Sequence, residues 1–557
     1  MTAAAPPVHG CTAAAVLDEP AAVCKPCQRV ELPDEAALPR HTETELKLAV
    51  APDQLDAVAD SPVVIARRSG APVLSPLVST YFDTADRRLS ARKAVLRVRL
   101  TPDGFVQTLK AGDGVTRSEW EAPVAGPAVE LALLTEPAAQ AVLADLAPAD
   151  LLPMFETRIQ RTAIPLDGGR IELAIDHGEI VTPDGGREAV SEIELELKAG
   201  ETADLYQLGL ALAETLPLTV EPRTKAARGF ALAGHEPARP VKSQRLTFEA
   251  STTVDSAMAA IFGSCFGQFG ANLPCVLAGT DPEGVHQARV ALRRLRSALS
   301  LFRRLLPAAD HQWLAGEVKW LAGALGPARD WDVFLAELLA PVKAAFAFHP
   351  EIYADLAALE AAAGGQRRDA YDAVRAALLS PRHTTLHLRL GLWLELRGWR
   401  NQPVTPTSAV LFRPLRETAE KLLNRRHRRV HKTGSAFAKL SYVERHQLRI
   451  YLKKLRYAVD FFRSLHDDKL AGRYVGQLGA FQDILGHLND VATAARLVPQ
   501  LSVEPAGHPG ATADALARAV GVVIGWHGRG LAAQEQRLVA EWHDFRAAKG
   551  FWSRPAG

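Results

Sequence analysis

Charged and apolar residues alternate along several short segments of the first two hundred residues. In the runs 41–47 and 191–198, charge falls on nearly every second position. A β-strand sends alternate side chains to opposite faces, so each run places its charges on one face. The opposite face of the second run carries Ile193, Leu195 and Leu197, as expected for a face that a strand buries. The pattern predicts strands with one charged face.

The segments between these two runs repeat the alternation with more cations. An antiparallel sheet with one solvated face is the simpler interpretation of any single strand. Repeated concentration of Arg, Lys and Glu instead favours a polar lumen, because about eight strands can close into a barrel that holds side chains or one small ligand. Charges in such a lumen must be neutralised by each other, a metal or a ligand. The charged positions include Arg97, Arg99, Thr108 with Lys110, Arg117, Glu119, Glu121, Arg158, Arg161, Glu172 and Asp176.

Beyond the segment 234–240, long Ala-, Leu- and Arg-rich patterns of helical period replace the alternation. Segment 285–296 aligns without a gap with segment 445–456, at an offset of 160 (446 − 286). The same offset carries Phe302 onto Phe462. We therefore predict two helical halves that share one plan.

A stripe of basic residues follows the repeated helix in each half. At about 100° per residue the repeated histidine and most of the following cations share one helical face. An isolated charge run is usually a solvated face, but duplicate placement favours a site for a polyanion. A third basic cluster lies at 425–432, and Asp330 and Asp490 are expected to orient the basic side chains. The candidates are His286, Arg289, Arg293, Arg294, Arg296, His446, Arg449, Lys453, Lys454 and Arg456.

Composition limits the class of protein. A chain of 557 residues with 48% hydrophobic content is too long for one ordinary core, and its net charge of +2 conceals the basic clusters. No apolar run suggests a membrane span and the N-terminus lacks a signal pattern, so we expect a cytoplasmic protein without a membrane partner. Five cysteines do not suggest a disulfide scaffold, and Cys24 and Cys27 have zinc-ligand spacing without a second pair. Residues 1–38, rich in Ala and Pro, are expected to form a flexible tail.

Residues 39–236 resemble the CYTH domain, the family of triphosphate tunnel metalloenzymes. The resemblance implies an α+β chain that begins with an eight-stranded antiparallel β-barrel tunnel with flanking helices. It also implies hydrolysis of inorganic triphosphate to pyrophosphate and phosphate with Mg²⁺ or Mn²⁺. The matching motifs are Glu43-x-Glu45-x-Lys47, Tyr81-Phe-Asp-Thr84, Leu96-Arg-Val-Arg99, Thr108-Leu-Lys110, Glu192-Ile-Glu-Leu-Glu-Leu197 and Thr224-Lys225-Ala-Ala-Arg228.

The same resemblance assigns roles to residues. Glu43, Glu45, Glu192 and Glu194 are expected to hold the metal and the attacking water, and with Lys47 they form the expected catalytic set. These types fit, because Mg²⁺ prefers carboxylates and cations grip phosphate oxygens. The choice between Arg67 and Arg68, and the roles of Glu119, Glu121, Asp176 and Glu196, stay open. The expected phosphate ligands are Lys47, Arg67, Arg97, Arg99, Lys110, Arg158 and Lys225.

After a linker at 237–245, residues 246–549 resemble the CHAD domain, an all-α domain of two pseudo-symmetric helical bundles. The matching segments are 285–296, 325–332 and 485–490. The family is associated with inorganic polyphosphate, so the ten basic residues named above are expected to bind it, with association to polyphosphate granules as a further expectation. Metal binding by the histidines is disfavoured because cations surround them. Nucleic acid is not expected, because few aromatic residues interrupt the stripes.

Two other functions stay open. The same superfamily includes adenylate cyclases and organic triphosphatases, which act on thiamine or nucleoside triphosphates. Alternatively, the barrel has lost turnover and the whole chain only binds polyphosphate. The sequence does not fix the metal, the coupling between domains or the oligomeric state.

Overall fold

The computed structural model of the chain describes residues 42–112, 116–234, 237–498, 501 and 512–553. The predicted tail 1–38 and the Cys24–Cys27 pair lie outside these residues. A β-barrel occupies the first part and helices occupy the rest. The predicted boundaries at 236 and 246 stay predictions, because the described chain between Gly234 and Val254 forms no helix or strand.

Eight antiparallel strands form a closed barrel, as predicted. Their order around the barrel is β1-β5-β4-β3-β2-β6-β7-β8, and β1 closes the ring because it pairs with both β5 and β8. The strands are β1 (Thr42–Ala49), β2 (Val73–Thr84), β3 (Ala94–Thr101), β4 (Gly104–Ala111), β5 (Thr116–Val124), β6 (Leu151–Leu166), β7 (Ile171–Val181) and β8 (Arg187–Leu197).

Short helices cover the outside of the barrel, where the apolar residues of each strand lie. Phe82, Leu96, Leu109 and Trp120 form one outer apolar cluster. A further strand, β9 (Thr219–Val220), pairs with β1. The helices of this part are α1 (Leu55–Ala59), α2 (Pro62–Arg67), α3 (Arg88–Ala91), α4 (Pro137–Leu143), α5 (Thr202–Ala213) and α6 (Lys225–Ala233).

Helix α6 packs against inward-facing apolar residues of the barrel. Phe155 stacks on Tyr81 at 4.5 Å between ring centroids and meets Phe230 of α6 edge-on at 5.0 Å. A Cβ at Gly229 would lie 2.1 Å from the Phe155 ring, so only glycine lets α6 approach this closely. Because α6 is held here, its first residue, Lys225, is buried among the charges of the lumen.

The remaining described chain is all-helical, as predicted. A π-helical segment, Phe334–Leu339, joins two of the helices, and one extensive apolar core runs through the whole region. The helices are α7 (Val254–Ala278), α8 (Pro282–Phe302), α9 (Ala308–Ala324), α10 (Gly326–Val333), α11 (Ala340–Ala345), α12 (Pro350–Leu378), α13 (Pro381–Glu395), α14 (Leu415–Thr433), α15 (Tyr442–Phe462), α16 (Asp468–Leu497) and α17 (Ala513–Ala547).

Helix α7 corrects the expectation that no segment suggests a membrane span. Its 25 residues contain a window with a mean hydropathy of 1.3, so by length and composition it could cross a membrane. Half of that window is buried inside the protein, and residues such as Met258, Ile261 and Phe262 belong to the helical core. Burial in that core accounts for the apolar character of α7, so it is weak evidence for a span.

The barrel and the helical region meet along α5 and α13. The Thr384 hydroxyl donates a hydrogen bond to the Leu218 carbonyl oxygen at 2.8 Å. A Cβ at Gly391 would lie 2.2 Å from the Tyr206 ring, which shows how closely the two helices pack. These contacts hold α13 against the outside of the barrel.

Candidate functional site

The barrel encloses a cavity of about 260 Å³ with a charged lining. Among the described residues that line it, eight are Lys or Arg and seven are Glu, so cations and carboxylates nearly balance. Eight of the predicted site residues lie in this lining, although their roles stay predictions. They are Glu43, Glu45, Lys47, Arg97, Arg99, Lys110, Glu194 and Lys225.

Two predicted phosphate ligands, Arg67 and Arg158, do not lie in the lining. Arg67 ends α2 outside the barrel and pairs with Asp167 at 3.3 Å. The side chain of Arg158 is half exposed and pairs with Glu156 at 2.6 Å. Arg161 faces the cavity instead, since residues three apart on a strand point to opposite faces. Their placement outside the cavity therefore argues against a role for Arg67 or Arg158 in phosphate binding, and Arg68 is exposed as well.

Three buried carboxylates hold the ammonium group of Lys225. Lys225 Nζ lies 2.6 Å from Asp176, 2.5 Å from Glu192 and 2.9 Å from Glu194. The three carboxylates are close enough together to hold a metal ion. Arg161 also donates to Asp176, at 2.7 Å and 2.6 Å. We name Asp176, Glu192 and Glu194 the inner carboxylate triad.

The cations around the triad fix its charge. Burial would raise the pKa of Glu194, but Lys225, Lys47 and Arg161 outweigh it and hold that pKa well below the ordinary value. The pKa of Asp176 is lowered against burial in the same way by Lys225 and Arg161. Asp176 and Glu194 are therefore ionised at neutral pH.

A second row of carboxylates runs across β7, β8 and β1. It lies nearer the start of β7 and the end of β8 than the inner carboxylate triad does. Glu172 of β7 lies opposite Glu196 of β8, and Glu196 lies opposite Glu45 of β1. Like charges directly opposite each other destabilise a sheet. Burial together with the carboxylates of Glu43 and Glu172 raises the pKa of Glu196, although Lys198 at 2.6 Å opposes this. We name Glu45, Glu172 and Glu196 the outer carboxylate row.

Glu43 and Glu45 are themselves surrounded by cations. Glu43 contacts Lys110, and Glu45 contacts Arg117 and Lys47. Burial would raise the pKa of Glu43, but Lys110, Arg117 and Lys47 lower it below the ordinary value. Both carboxylates can therefore serve as oxygen donors, and that of Glu43 is held in its ionised form. Together with the outer row and the triad they form the hard oxygen set that Mg²⁺ or Mn²⁺ prefers.

Two arginines of β3, Arg97 and Arg99, share another part of the lining, and Arg97 lies 3.9 Å from Glu119. Arg99 donates to the Ser79 hydroxyl at 3.0 Å and forms no ion pair within the part of the chain that the structure describes. Burial, Arg97 and Arg161 lower its pKa to about 10. Burial would raise the pKa of Tyr81, but Arg97 and Arg99 lower it. This part of the cavity is suited to an anion.

Three further residues of the lining were not among the predicted site residues, namely Tyr81, Arg117 and Arg161. Arg117 alternates with Glu119 and Glu121, so strand parity already placed it on their face. Arg161 lies opposite Asp176 in the register of β6 and β7, a pairing that the sequence alone does not give. Tyr81 belongs to a recognised motif, and alternation along β2 places it on the same face as Ser79, whose hydroxyl accepts a hydrogen bond from Arg99.

A second candidate site lies between α8 and α15. The Arg289 guanidinium donates to the Ala322 carbonyl at 2.9 Å, and Arg449 lies 4.0 Å from Asp490. Arg293 donates to the Tyr457 hydroxyl at 3.2 Å, and His446 Nδ1 contacts Asn489 at 2.8 Å. We define the central basic cluster as His286, Arg289, Arg293, Arg329, His446, Arg449 and Lys453.

Crowding of cations changes the ionisation of this cluster. Burial and the Arg329 guanidinium lower the pKa of His286 to about 4, so the ring is neutral at pH 7. Burial, Arg449 and Arg293 lower the pKa of Lys453 to about 7, although Asp490 raises it. A bound anion would relieve this repulsion. Arg329 and Asp490 therefore contribute, together with the repeated basic residues, to the electrostatic potential of the cluster.

Four of the predicted polyphosphate ligands lie away from this cluster. Arg294 is buried and donates to Gln268 at 2.6 Å, so it stabilises the packing of α7 on α8. Arg456 points to Gln482 and Asp460. Arg296 and Lys454 lie next to Arg426 and Arg429. Each helix presents its stripe to more than one neighbour, so the ten predicted residues do not form one cluster, and their role in binding polyphosphate stays a prediction.

Residues 41–230 match the CYTH domain family, and residues 260–499 match the CHAD domain family. Over 173 residues the chain is 31% identical to an inorganic triphosphatase of Haemophilus influenzae. That match takes in 28% of this chain and 46% of the relative, so it spans less than half of the relative's length.

Two solved structures are similar to parts of this chain, at low overall superposition. The CHAD domain of Ricinus communis is 32% identical and covers 56% of this chain and 98% of its own, with a TM-score of 0.46. A putative adenylyl cyclase from Hippeastrum, described by a dominant triphosphatase activity, is 20% identical and covers 33% of this chain and 92% of its own, with a TM-score of 0.26. With TM-scores below 0.5, neither likeness supports a conclusion about activity.

Proposed function

We propose the following function for this chain, which is a CYTH domain followed by a CHAD domain: its barrel hydrolyses inorganic triphosphate to pyrophosphate and phosphate with a divalent metal, and its helical region binds inorganic polyphosphate. One observation carries the first part. The cavity combines eight Lys and Arg side chains with seven Glu side chains, in a space suited to a small, dense anion.

Cations of the lining would bind the substrate. Arg97 and Arg99 would grip phosphoryl oxygens, each with a planar pair of donors. Lys47 and Lys110 contact Glu194 and Glu43 in the free protein, so they would be shared between carboxylate and phosphate once substrate is bound. Such fixed charges stabilise the charge that spreads over the phosphoryl oxygens during transfer.

The carboxylates would supply the metal site. Glu43, Glu45, Glu192 and Glu194 are the proposed ligands, and the donors fit because all four are buried carboxylates, of which Glu43 and Glu194 have lowered pKa values. A bound Mg²⁺ or Mn²⁺ would neutralise phosphate charge and polarise a phosphoryl oxygen. The outer carboxylate row extends this donor set across three strands and would orient water beside the substrate.

The direct test compares two variants of the full chain. We expect a Glu43→Gln, Glu45→Gln double variant to lose metal-dependent release of phosphate from inorganic triphosphate by at least about a hundredfold. The matched control is Arg158→Gln, which removes a charge from the outside of the same barrel and should leave turnover unchanged. Equal turnover by the double variant and the control would remove Glu43 and Glu45 from the mechanism.

Competing substrates separate the alternatives within the superfamily. The purified chain should be offered inorganic triphosphate, ATP and thiamine triphosphate, each with Mg²⁺ or Mn²⁺. Formation of cyclic AMP would indicate a cyclase, and faster turnover of an organic triphosphate would indicate an organic triphosphatase. Tight polyphosphate binding without any turnover would indicate a binding protein.

The central basic cluster supports the second part of the proposal. Cations from both halves of the repeat converge there, and Lys453 is held partly deprotonated by its neighbours. A chain of phosphates would neutralise several of them together and release counterions. We expect an Arg293→Gln, Arg449→Gln variant to bind inorganic polyphosphate more weakly and with a shallower salt dependence.

A matched control for this variant is Lys421→Gln, on an exposed part of α14. It removes a positive charge that already pairs with Glu417 at 2.5 Å. Unchanged affinity and salt dependence in the Arg293→Gln, Arg449→Gln variant would place the polyanion elsewhere.

A further inference from the structure

The internal repeat provides a matched comparison of two positions on either side of the α8–α15 contact. The offset of 160 residues pairs Ser300 on α8 with Asp460 on α15. Asp460 is largely buried and faces Arg456, Arg463 and Arg294. In that half, an acidic side chain therefore stands among three guanidinium groups.

In the other half, Ser300 replaces the acid. The offset carries Arg456 onto Arg296 and Arg294 onto Lys454, so cations are kept at both positions. Arg426 of α14 donates to the Ser300 hydroxyl at 3.0 Å. We define the Ser300 cluster as Ser300 with Arg296, Arg426, Arg429 and Lys454.

The cations of the Ser300 cluster lack acidic partners. Across the described part of the chain, none of the four forms an ion pair, and Arg426 Nε is buried without a hydrogen-bond acceptor. Arg429 donates to the Tyr451 hydroxyl at 2.8 Å, which brings no negative charge. Burial and the adjacent Arg425 lower the pKa of Arg426 to about 10, and burial with Arg426, Arg296 and Arg429 lowers that of Lys454.

The Ser300 cluster is separate from the central basic cluster. Lys453 and Lys454 are consecutive on α15, so they project about 100° apart. Lys453 faces Arg449, Arg293 and Arg289, whereas Lys454 faces the α14 arginines. The two sites therefore lie on different sides of the same helix.

We propose that the Ser300 cluster is a second anion site, which binds a phosphate group of an inorganic oligophosphate. Forked guanidinium groups match phosphate oxygens, and the Ser300 hydroxyl adds a neutral donor. The anion would stand where Asp460 stands in the other half. Arg296 and Arg429 are exposed, so a phosphate chain can continue from the cluster into solvent.

Isothermal titration of the full chain with inorganic triphosphate in EDTA tests the site, since EDTA removes the metal that the barrel is proposed to need. Ser300→Asp supplies the missing acid, and Arg426→Gln with Lys454→Gln removes two cations. We expect each change to weaken binding at one site by about tenfold or more. Arg428→Gln, which removes an exposed charge from α14, is the control and should bind triphosphate like the unaltered chain.

Two arms identify the source of the phosphate group. If the Arg293→Gln, Arg449→Gln background keeps the Ser300-dependent site for triphosphate, the cluster binds short oligophosphates independently. If, in that background, Ser300→Asp weakens the binding of long polyphosphate but not that of triphosphate, the cluster binds the continuation of a chain. The proposal would be overturned if Ser300→Asp and the Arg426→Gln, Lys454→Gln variant both left the binding of triphosphate and of long polyphosphate unchanged. This outcome does not depend on whether the barrel hydrolyses triphosphate.

Discussion

Removal of the Lys225 ammonium should expose the energetic cost of the inner carboxylate triad. In a Lys225→Met variant the side chain keeps its bulk, but three buried carboxylates lose a cation at 2.5–2.9 Å. Breaking a buried ionic contact in this way costs about 3–5 kcal/mol, because the remaining charges stay buried without compensation. Arg161 still contacts Asp176 and Glu194, which favours the lower end of that range.

Amide hydrogen exchange on peptides from β7 and β8 measures this cost within the barrel, so exchange in the helical region does not contribute to the result. A loss of about 3–5 kcal/mol corresponds to exchange that is faster by roughly two to nearly four orders of magnitude. Lys198→Met is the control, because Lys198 is 42% exposed and its contact with Glu196 should contribute less than about 1 kcal/mol. Equal exchange in both variants would refute the inferred role of Lys225.

The pH dependence of this difference has a definite sign. In the unaltered chain the pKa values of Asp176 and Glu194 are lowered, so their stabilisation is present above the unfolded pKa and is lost as pH falls through the folded pKa. Without Lys225 these pKa values should rise, and the carboxylates should take up protons in the folded state at mildly acidic pH. The gap between Lys225→Met and the unaltered chain should therefore narrow as pH falls, and a constant gap would contradict the electrostatic explanation.

Three further predictions follow from individual residues. Arg99→Gln should lower kcat/KM for inorganic triphosphate about 10- to 100-fold, since a charged hydrogen bond is lost; a loss no larger than in Arg158→Gln would count against it. Polyphosphate should bind more tightly as pH falls from 9 to 7, because a bound anion raises the pKa of Lys453 from about 7 and Lys453 then takes up a proton. Lys453→Arg should flatten this pH profile in titrations at several pH values. Asp83→Ala should destabilise α3 by about 2–4 kcal/mol, because the buried carboxylate accepts hydrogen bonds from Thr84, Leu89 and Ser90, and unchanged amide exchange there would contradict this.

Strand alternation predicted much of the cavity but not all of it. Glu43, Glu45 and Lys47 share a face by parity alone, and so do Arg97 and Arg99, so their common direction could be predicted from the sequence. The family resemblance assigned Arg158 to phosphate, although its side chain lies outside the cavity. Only the register of β6 against β7 identifies Arg161 as the inward residue.

Contacts between distant elements lay beyond the sequence. Lys225 could be recognised as part of a motif, yet its position among Asp176, Glu192 and Glu194 depends on how α6 packs against Phe155. In the helical region the repeat predicted paired residues. It did not predict which neighbour each would face, because that depends on the crossing of α8 and α15 and on the basic run of α14.

The most direct test of the central claim is to follow inorganic triphosphate by ³¹P NMR in the presence of the purified full chain. With Mg²⁺ or Mn²⁺ we predict that the substrate signals give way to equal amounts of phosphate and pyrophosphate, and that EDTA stops the reaction. Persistence of inorganic triphosphate with either metal, under conditions in which the chain is folded, would contradict the claim.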